Sequence, residues 1–338
     1  MLDSRSRINY PLYWFSMKHI AVLTSGGDAP GMNAAIRAIV RSAAHNEIKV
    51  SGVFNGYQGL IEDNFADLNT RSVSNIIQLG GTILRSARSE EFYQPAARAR
   101  AATALKNRAV DGLLIIGGDG SFRGASQLSI EHEIPVIGIP ATIDNDIFGT
   151  DLSIGFDTAI NVALDFVDRL RDTAASHDRL FLVELMGRDS GNLALHVGLG
   201  GGAEAILLPE QNLQGEQAAE LVMQAKQPGK SSSIVIVAEG AYEGGAIALQ
   251  DSIRQRCEFE VRSSILGHVI RGGSPSTQDR VFASRLGYEA VMQLKAGKGS
   301  LMIGIDKGET VLVPFEITRS NVKDIDWHLH HIAQITSQ

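Results

Sequence analysis

Leu113-Leu114-Ile115-Ile116-Gly117-Gly118-Asp119-Gly120-Ser121 is an apolar run that ends in three glycines around one carboxylate. The four apolar residues predict a buried strand, and the glycines predict a turn at its carboxyl end. In an open α/β sheet, ligands bind just beyond the carboxyl ends of the strands, where glycines let backbone N–H groups approach phosphate oxygens. The segment therefore predicts a phosphate-binding loop.

Asp119 gives this loop a negative charge, which would repel phosphate groups unless a divalent cation lay between them. Mg²⁺ binds in this way, with one or two carboxylates and substrate phosphates as ligands. The alternative interpretation is a tight glycine turn in which Asp119 caps the following helix. The segment alone leaves both interpretations open.

The composition of the 338 residues, with 44% hydrophobic residues and 35 glycines, predicts a globular α/β protein of two domains. The net charge is −7 and the chain has no long basic run, so we expect no nucleic-acid partner. No apolar run approaches the length of a membrane span, so we expect no membrane partner. Cys257 is the single cysteine, which excludes an intrachain disulfide and favours a cytoplasmic location. Residues 1–16 are expected to form a disordered extension.

Apolar runs that predict strands alternate with helical patterns along the chain, which implies mainly parallel sheets with right-handed crossovers. Strands are predicted at 19–24, 50–54, 113–116, 135–139, 180–184, 205–208, 233–238 and 260–266. A terminal helix is predicted near residues 321–335. Two similar three-layer α/β units account for this order.

Thr142-Ile143-Asp144-Asn145-Asp146 follows another apolar strand. Two acids two residues apart on an extended loop project to the same side. One interpretation is a pair of Asx turns. The other, suggested by the second acid at the neighbouring strand end, is a general base beside an acid that helps to organise a metal.

Several other predicted strands end in glycines or charged residues. Gly27 lies in a glycine turn before a helix, which is a typical anion site. Further strand ends carry Met186-Gly187-Arg188, Glu239, and the pair His268 and Arg271. Arg37 and Arg41 share one face of a helix and form either a solvated surface or a second phosphate-binding patch.

Together these segments closely resemble bacterial 6-phosphofructokinases. The resemblance is carried by residues 24–33, Gly117 to Ser121, Thr142 to Asp146, Met186 to Arg188 and Gly267 to Gly273, in the order typical of the family. It extends from about residue 18 to about residue 304. It implies an enzyme that transfers the γ-phosphoryl group of ATP to the 1-hydroxyl of fructose 6-phosphate.

The resemblance also implies a role for each matching residue. Asp144 would be the base, supported by Thr142, Asp146 and Arg188, and Asp119 would hold Mg²⁺. The ATP-binding residues would be Gly27, Tyr57, Arg88, Gly118, Asp119, Gly120 and Ser121. The sugar phosphate would contact Thr142, Asp144, Met186, Gly187, Arg188, Glu239, His268 and Arg271, with Arg179 and Arg262 reaching in from a neighbouring subunit of a homotetramer.

The family's fold implies an ATP-binding domain of residues 17–154 and 269–320 and a sugar-phosphate-binding domain of residues 155–268 and 321–338. The resemblance also implies an effector site for ADP or phosphoenolpyruvate. Its matching residues are Arg37, Arg41, Arg171, Glu204 and Lys230. Thr70, Asn75 and Pro228 depart from charged residues of some relatives, so we expect weaker or altered control.

The phosphoryl donor is indicated by two positions. Pyrophosphate-dependent relatives typically have an aspartate at the position of Gly120 and a lysine at that of Ala141, so this chain resembles the ATP-dependent type. A pyrophosphate-dependent enzyme remains the main alternative. A kinase for another substrate and a non-catalytic sugar-phosphate sensor are further alternatives, and the sensor has no need of a base such as Asp144.

Overall fold

The computed structural model describes residues 17–176, 179–213, 215–226, 233–254, 256–257 and 259–337. The extension 1–16 and the positions Pro228 and Lys230 therefore lie outside the described residues. The strands of the described part are β1 His19–Ser25, β2 Lys49–Val53, β3 Phe65–Leu68, β4 Gly112–Gly117, β5 Val136–Pro140, β6 Leu180–Leu185, β7 Ala205–Leu207, β8 Ser233–Ala238, β9 Val261–Leu266, β10 Leu301–Asp306 and β11 Glu309–Pro314.

The helices of the same residues are α1 Met32–His45, α2 Gly56–Ile61, α3 Pro95–Asn107, α4 Asp119–His132, α5 Phe156–Ala175, α6 Asn192–Gly200, α7 Gly215–Ala225, α8 Gly245–Arg254, α9 Thr277–Lys295, α10 Phe315–Ser320 and α11 Trp327–Thr336. Short 3-10 helices are formed by Glu91–Tyr93, Pro209–Gln211 and His268–Arg271. In this part of the chain, no helix is long and apolar enough to cross a membrane.

The first sheet has seven strands in the order β11-β10-β5-β4-β1-β2-β3. Its five central strands are parallel, and the two edge strands β3 and β11 pair antiparallel with their neighbours. Both faces of this sheet are covered. In β4, Leu114 and Ile116 enter one hydrophobic cluster, while Leu113 and Ile115 enter the cluster on the opposite face. This burial on both faces explains the unbroken apolar sequence of the strand.

The second sheet has four strands in the order β7-β8-β6-β9, and all of its pairs are parallel. The prediction of an α/β fold with mainly parallel sheets is therefore confirmed. The first sheet is built from residues before 141 and after 300, and the second from residues 180–266. The proposed domain boundaries divide the chain between these two sheets and stay a prediction.

Strand pairing aligns the strand ends within each sheet. Ser25, Gly117 and Pro140 are register partners at the carboxyl ends of β1, β4 and β5. In the second sheet, Leu185 is paired with both Ala238 and Leu266 at the ends of β6, β8 and β9. The loops that follow these residues therefore begin side by side.

The predicted terminal helix begins later than expected. Residues 321–326 are not helical, and α11 starts at Trp327 because the side chain of Asp326 caps it by accepting a hydrogen bond from the Leu329 backbone N–H. Lys323 lies in the non-helical segment and donates to the Asp151 carbonyl across a separation of 2.9 Å. The prediction of helix from residue 321 was wrong for these six residues.

Candidate active site

The candidate site lies where three loops follow the aligned ends of β1, β4 and β5. They line one cavity of about 810 Å³ together with side chains from elsewhere in the chain. Twelve of the predicted residues line it: Gly27, Tyr57, Arg88, Gly118, Asp119, Gly120, Ser121, Thr142, Asp144, Asp146, Arg188 and Arg271. The fold thus places around one cavity residues that are far apart in the chain.

Asp119 is the first residue of α4, and the N-cap position of that helix is occupied by Gly118. Its carboxylate instead accepts a hydrogen bond from Arg123, with 2.8 Å between Arg123 Nε and Asp119 Oδ2. The capping interpretation of Asp119 is therefore wrong. The carboxylate lies at the start of a helix that follows a glycine turn, next to the cavity, as a phosphate-associated metal ligand would.

Asp144 and Asp146 are separated by Asn145, whose φ of 48° is in the left-handed region. Asparagine tolerates this conformation better than most residues, because its short polar side chain forms local hydrogen bonds. Asp144 is only 5% exposed, and its Oδ1 is buried with no hydrogen-bond partner among the described residues. That oxygen therefore closes no Asx turn within the described part of the chain.

The carboxyl groups of the acidic loop have perturbed pKa values. Burial raises the pKa of Asp144 above its ordinary value, and the cations Arg271 and Arg188 partly oppose this effect. The pKa of Asp146 is raised to about 6, mainly by desolvation and to a smaller extent by the negative charge of Asp144. The side chain of Asp146 is nevertheless exposed to water in the cleft, so solvent screening reduces the free energy associated with this pKa shift. Converging acids of this kind favour a bound cation.

The residues present fit a magnesium ion that arrives with a phosphate-bearing ligand. Among the described residues, no group of three or more His, Cys, Asp or Glu side chains could hold a metal alone. Mg²⁺ does not need such a group, since it usually binds one or two carboxylates and completes its shell with phosphates and water. Asp119 is close enough to Asp146 to raise the pKa of that residue.

One wall of the cavity is aromatic. Tyr57 stacks on Phe92 with 3.9 Å between the ring centroids, and its hydroxyl donates to the Ser121 carbonyl. Burial raises the pKa of the Tyr57 hydroxyl, so it stays a neutral donor. A Cβ built on Gly120 would meet no atom within 4 Å, so a side chain at this position would project into open space. The wall therefore leaves room for a large planar group.

Arg271 links the two sheets. It follows β9, yet its Nη1 donates to the Asp28 carbonyl beyond β1 at 3.2 Å. A Cβ on Gly27 would lie 2.5 Å from the same Nη1, so a side chain there would displace the Arg271 guanidinium group from this position. Glu239, at the end of β8, accepts hydrogen bonds from the backbone N–H groups of Gly187 and Arg188.

Other predicted sugar-phosphate residues lie outside the cavity. The described residues that line the cavity do not include Met186, Gly187, Glu239 or His268. All four nevertheless lie at the carboxyl end of the second sheet. Their strand-end placement is as predicted. Their contact with a ligand stays a prediction.

Arg179 and Arg262 lie at the opposite end of the second sheet. Both guanidinium groups bind the carboxylate of Glu260, with Nε to oxygen distances of 2.6 and 2.7 Å. The strands rise about 3.3 Å per residue, so Arg262 is roughly 13 Å and Arg179 roughly 20 Å from the carboxyl end of their own sheet. Within one chain they do not reach the cavity that they were predicted to serve.

The predicted effector residues are only partly brought together. Arg171 donates to the carbonyls of Gly201 and Gly202 and lies 3.7 Å from the Glu204 carboxylate. Arg37 and Arg41 lie on α1, and no hydrogen bond or ion pair between described residues joins them to Arg171. Lys230 is outside the described residues, so the complete set stays a prediction.

Several residues near the site were not predicted. Arg98 is 6% exposed and binds Glu131 through two hydrogen bonds, and Arg123, Gln127 and Arg319 complete the same side of the cavity. Ser190 and Asn192 donate to the acidic loop. No motif marks these residues, but the proximity of Ser190 and Asn192 to Arg188 in the chain was an available signal.

Comparison with known proteins identifies close relatives. The phosphofructokinase family model matches residues 19–294 of the chain. The ATP-dependent 6-phosphofructokinase 1 of Thermus thermophilus is 51% identical over 319 residues, which cover 94% of this chain and 99% of that protein. The ATP-dependent 6-phosphofructokinase 2 of Bacteroides thetaiotaomicron is 48% identical over 320 residues, covering 94% and 98%.

Solved structures show the same fold. Phosphofructokinase from Saccharomyces cerevisiae superimposes with a TM-score of 0.82 at 33% identity, covering 90% of this chain and 45% of the yeast chain. A pyrophosphate-dependent phosphofructokinase from Marinobacter aquaeolei has a TM-score of 0.81 at 25% identity, covering 92% and 86%. The ATP-dependent relatives are thus about twice as similar in sequence as this pyrophosphate-dependent structure.

Proposed function

Because the chain belongs to the phosphofructokinase family, we propose that it transfers the γ-phosphoryl group of ATP to the 1-hydroxyl of fructose 6-phosphate. The products are fructose 1,6-bisphosphate and ADP. The observation that carries this proposal is the alignment of Ser25, Gly117 and Pro140 at the ends of three neighbouring strands. Because of this alignment, the glycine loop after β1, the loop with Asp119 and the loop with Asp144 begin next to each other. Phosphoryl transfer needs such positioning more than it needs covalent chemistry.

ATP is proposed as the donor, bound along the aromatic wall of the cavity. Tyr57 and Gly120 border the space for the adenosine part, and Gly27, Gly118 and Ser121 let backbone groups approach the phosphates. Arg88 would add a positive charge to the phosphate chain. The open space above Gly120 supports a donor larger than pyrophosphate.

Mg²⁺ is proposed to bind between Asp119 and the phosphates of ATP, with Asp146 as a nearby second acid. When bound, the ion supplies neutralisation of the charge that develops on the transferring phosphoryl group. Arg188 and Arg271 line the same cavity and carry further positive charge. Thr142, whose hydroxyl accepts a hydrogen bond from the Asp144 backbone N–H at 3.2 Å, would face the transferring group.

Asp144 is proposed as the general base that removes the proton of the sugar hydroxyl. A sugar hydroxyl is a poor nucleophile while protonated, and a positioned base typically accelerates such a step by about 10²–10⁴-fold. The free Oδ1 of Asp144 is the atom that would accept this proton. The nearby cations Arg271 and Arg188 favour the ionised form that a base requires.

The sugar phosphate is proposed to bind Met186, Gly187, Arg188, Glu239, His268 and Arg271 at the end of the second sheet. Arg179 and Arg262 are too far from the cavity of their own chain, so we propose that they serve the site of a neighbouring subunit. This sharing implies a homo-oligomer, which we propose to be a tetramer. We also propose that ADP or phosphoenolpyruvate binds at Arg37, Arg41, Arg171, Glu204 and Lys230. The proposed location of the protein is the cytoplasm.

The proposed function is tested by measuring fructose 6-phosphate turnover with ATP and with pyrophosphate under the same conditions. We expect turnover with ATP and none with pyrophosphate. Comparable rates with both donors would refute the donor assignment. A Gly120→Asp variant is the matched test, since the added carboxylate would enter the open space and repel the phosphates, so its ATP turnover should fall.

A further inference from the structure

Two side chains next to the proposed sugar-phosphate loop hold the main chain of the acidic loop. Ser190 Oγ donates to the Asp144 carbonyl at 2.9 Å, and Asn192 Nδ2 donates to the Asn145 carbonyl at 3.2 Å. The two side chains are also joined, because Asn192 Nδ2 donates to Ser190 Oγ at 3.1 Å. All four residues are at most 8% exposed. These hydrogen bonds are therefore shielded from water.

The acidic loop is held on its other side by its own segment. Asn145 Nδ2 donates to the Asp151 carbonyl at 3.1 Å, and Asn145 Oδ1 accepts from Ser153 Oγ at 3.3 Å. Asn145 has a φ of 48°, in the left-handed region that asparagine tolerates, and these contacts stabilise it there. The main chain between the two acids is thus fixed by contacts from both directions.

The direction of the Asp144 carboxylate depends on this main chain. Its Oδ1 has no hydrogen-bond partner in the described part of the chain. A hydrogen bond from the Thr142 side chain, on the same loop, lowers the pKa of the carboxyl group. The main chain of Asp144 and Asn145, together with the Thr142 side chain, therefore determines where the carboxylate points. A shift of the Asp144 carbonyl would move the carboxylate directly.

Ser190 and Asn192 belong to a segment that is itself well fixed. Ser190 N donates to the Gly187 carbonyl at 2.9 Å, and Gly191 N donates to Glu210 Oε1 at 2.8 Å. Glu239 holds the N–H groups of Gly187 and Arg188 in the same segment. The proposed sugar-phosphate contacts and the anchors of the base loop are therefore parts of one hydrogen-bonded segment.

We propose that Ser190 and Asn192 are positioning residues that set the direction of Asp144 relative to the bound sugar phosphate. This inference rests on the proposed function in taking Asp144 as the base. The two residues contact the main chain of the base loop and act on the reaction only through Asp144. Their loss should lower kcat and leave the affinity for substrate nearly unchanged.

The first test is Ser190→Ala. We expect a kcat about 5- to 30-fold lower, the rate equivalent of one lost buried hydrogen bond. The dissociation constant of fructose 6-phosphate, measured by calorimetry, should stay within about twofold. Ser129→Ala is the matched control, because Ser129 is also a buried serine that donates to a carbonyl, that of Ile134, far from the acidic loop. The control should keep its kcat.

The second test combines Ser190→Ala with Asp144→Ser. Asp144→Ser alone should lower kcat by about 10²–10⁴-fold, and adding Ser190→Ala should cause no further loss beyond about twofold. An equal loss from Ser190→Ala in both backgrounds would mean a merely structural role and would overturn the inference. A normal kcat for Ser190→Ala would overturn it as well. If Asp144→Ser itself stays active, the proposed base is wrong, which is a separate outcome.

Asn192→Asp provides an independent variant in case Ser190→Ala folds poorly. It keeps the shape of the side chain but replaces the donor with an oxygen that faces the Asn145 carbonyl. We expect a larger loss of kcat than for Ser190→Ala, again absent in the Asp144→Ser background. Melting temperatures of all variants identify those that are folded, and a folded Asn192→Asp with normal kcat would contradict the inference.

Discussion

The guanidinium group of Arg123 and the carboxylate of Asp119 form an ion pair at the mouth of the cavity, with 2.8 Å between Arg123 Nε and Asp119 Oδ2. The residues are one turn apart on α4, and their side chains are 62% and 31% exposed. Pairs exposed to this extent are weak, typically worth about 0.2–1 kcal/mol. The carboxylate that we propose for Mg²⁺ is therefore engaged by an arginine that the ion displaces at small cost.

Removing this competition should favour the metal. We predict that Arg123→Gln lowers the Mg²⁺ concentration needed for half-maximal activity by about 1.5- to 5-fold, the equivalent of the weak ion pair. Titration of Mg²⁺ at saturating ATP measures this change, and calorimetric binding of Mg²⁺ with ADP checks it without turnover. Arg123→Lys, which keeps the charge, should change less. A higher Mg²⁺ requirement in Arg123→Gln would show that Arg123 supports the nucleotide instead.

The pKa of Asp144 predicts the pH dependence of turnover. A base must be ionised, so kcat should fall as the pH decreases through the pKa of Asp144. Burial raises that pKa above its ordinary value of 3.8, while Arg271 gives the largest opposing effect. We predict that Arg271→Met moves the acid limb of log kcat to higher pH, because the ionised form loses a nearby positive charge. Arg271→Lys should leave the limb closer to that of the unmodified enzyme, and a shift to lower pH would contradict this assignment.

The central features of the site were predictable because they are properties of strand ends. An apolar strand followed by glycines and one acid, as at Gly117 to Asp119, is typical of a ligand-binding loop at the carboxyl end of a parallel strand. Strand register then places loops that are distant in the chain next to each other. The pairing of Ser25, Gly117 and Pro140 aligns the three strand ends in this way. The eight strands predicted with bounds therefore match observed strands to within one or two residues, whereas the short edge strand β3 was missed.

The remaining features depend on contacts between segments that carry no periodic signal. Ser190 and Asn192 have no distinguishing feature in the sequence, and their hydrogen bonds to the Asp144 and Asn145 carbonyls form only in the folded chain. Residues 321–326 were predicted as helix, but Lys323 instead binds the Asp151 carbonyl, and Asp326 caps the next helix. Local propensity gives no information about such tertiary partners.

The position of Arg262 predicts complementation between inactive chains. If Arg262 serves the site of a neighbouring subunit, Arg262→Ala and Asp144→Ser inactivate different halves of a shared site. Mixed and refolded together, they should regain activity, because some interfaces then combine an intact Asp144 from one chain with an intact Arg262 from another. Each variant refolded alone is the control. A mixture no more active than the controls would count against a shared site.

Control by effectors should be weak because the proposed effector site has few available cations. An effector phosphate is held by several cations acting together, and each charge-assisted hydrogen bond contributes about 1.5–3 kcal/mol. Arg171 already donates to the Gly201 and Gly202 carbonyls, and Thr70 carries no charge. Arg71, next to Thr70, is exposed and is the residue that would have to compensate.

We predict that restoring a cation strengthens effector binding. Thr70→Arg should increase the affinity for ADP or phosphoenolpyruvate by about tenfold or more, since 1.4 kcal/mol corresponds to a factor of ten. Thr70→Gln, long but uncharged, is the matched control and should have no such effect. Calorimetry measures the binding, and the half-saturating concentration of fructose 6-phosphate with and without each effector measures the control. Strong effector responses in the unmodified enzyme, with no gain in Thr70→Arg, would show that the site already has its full set of cations.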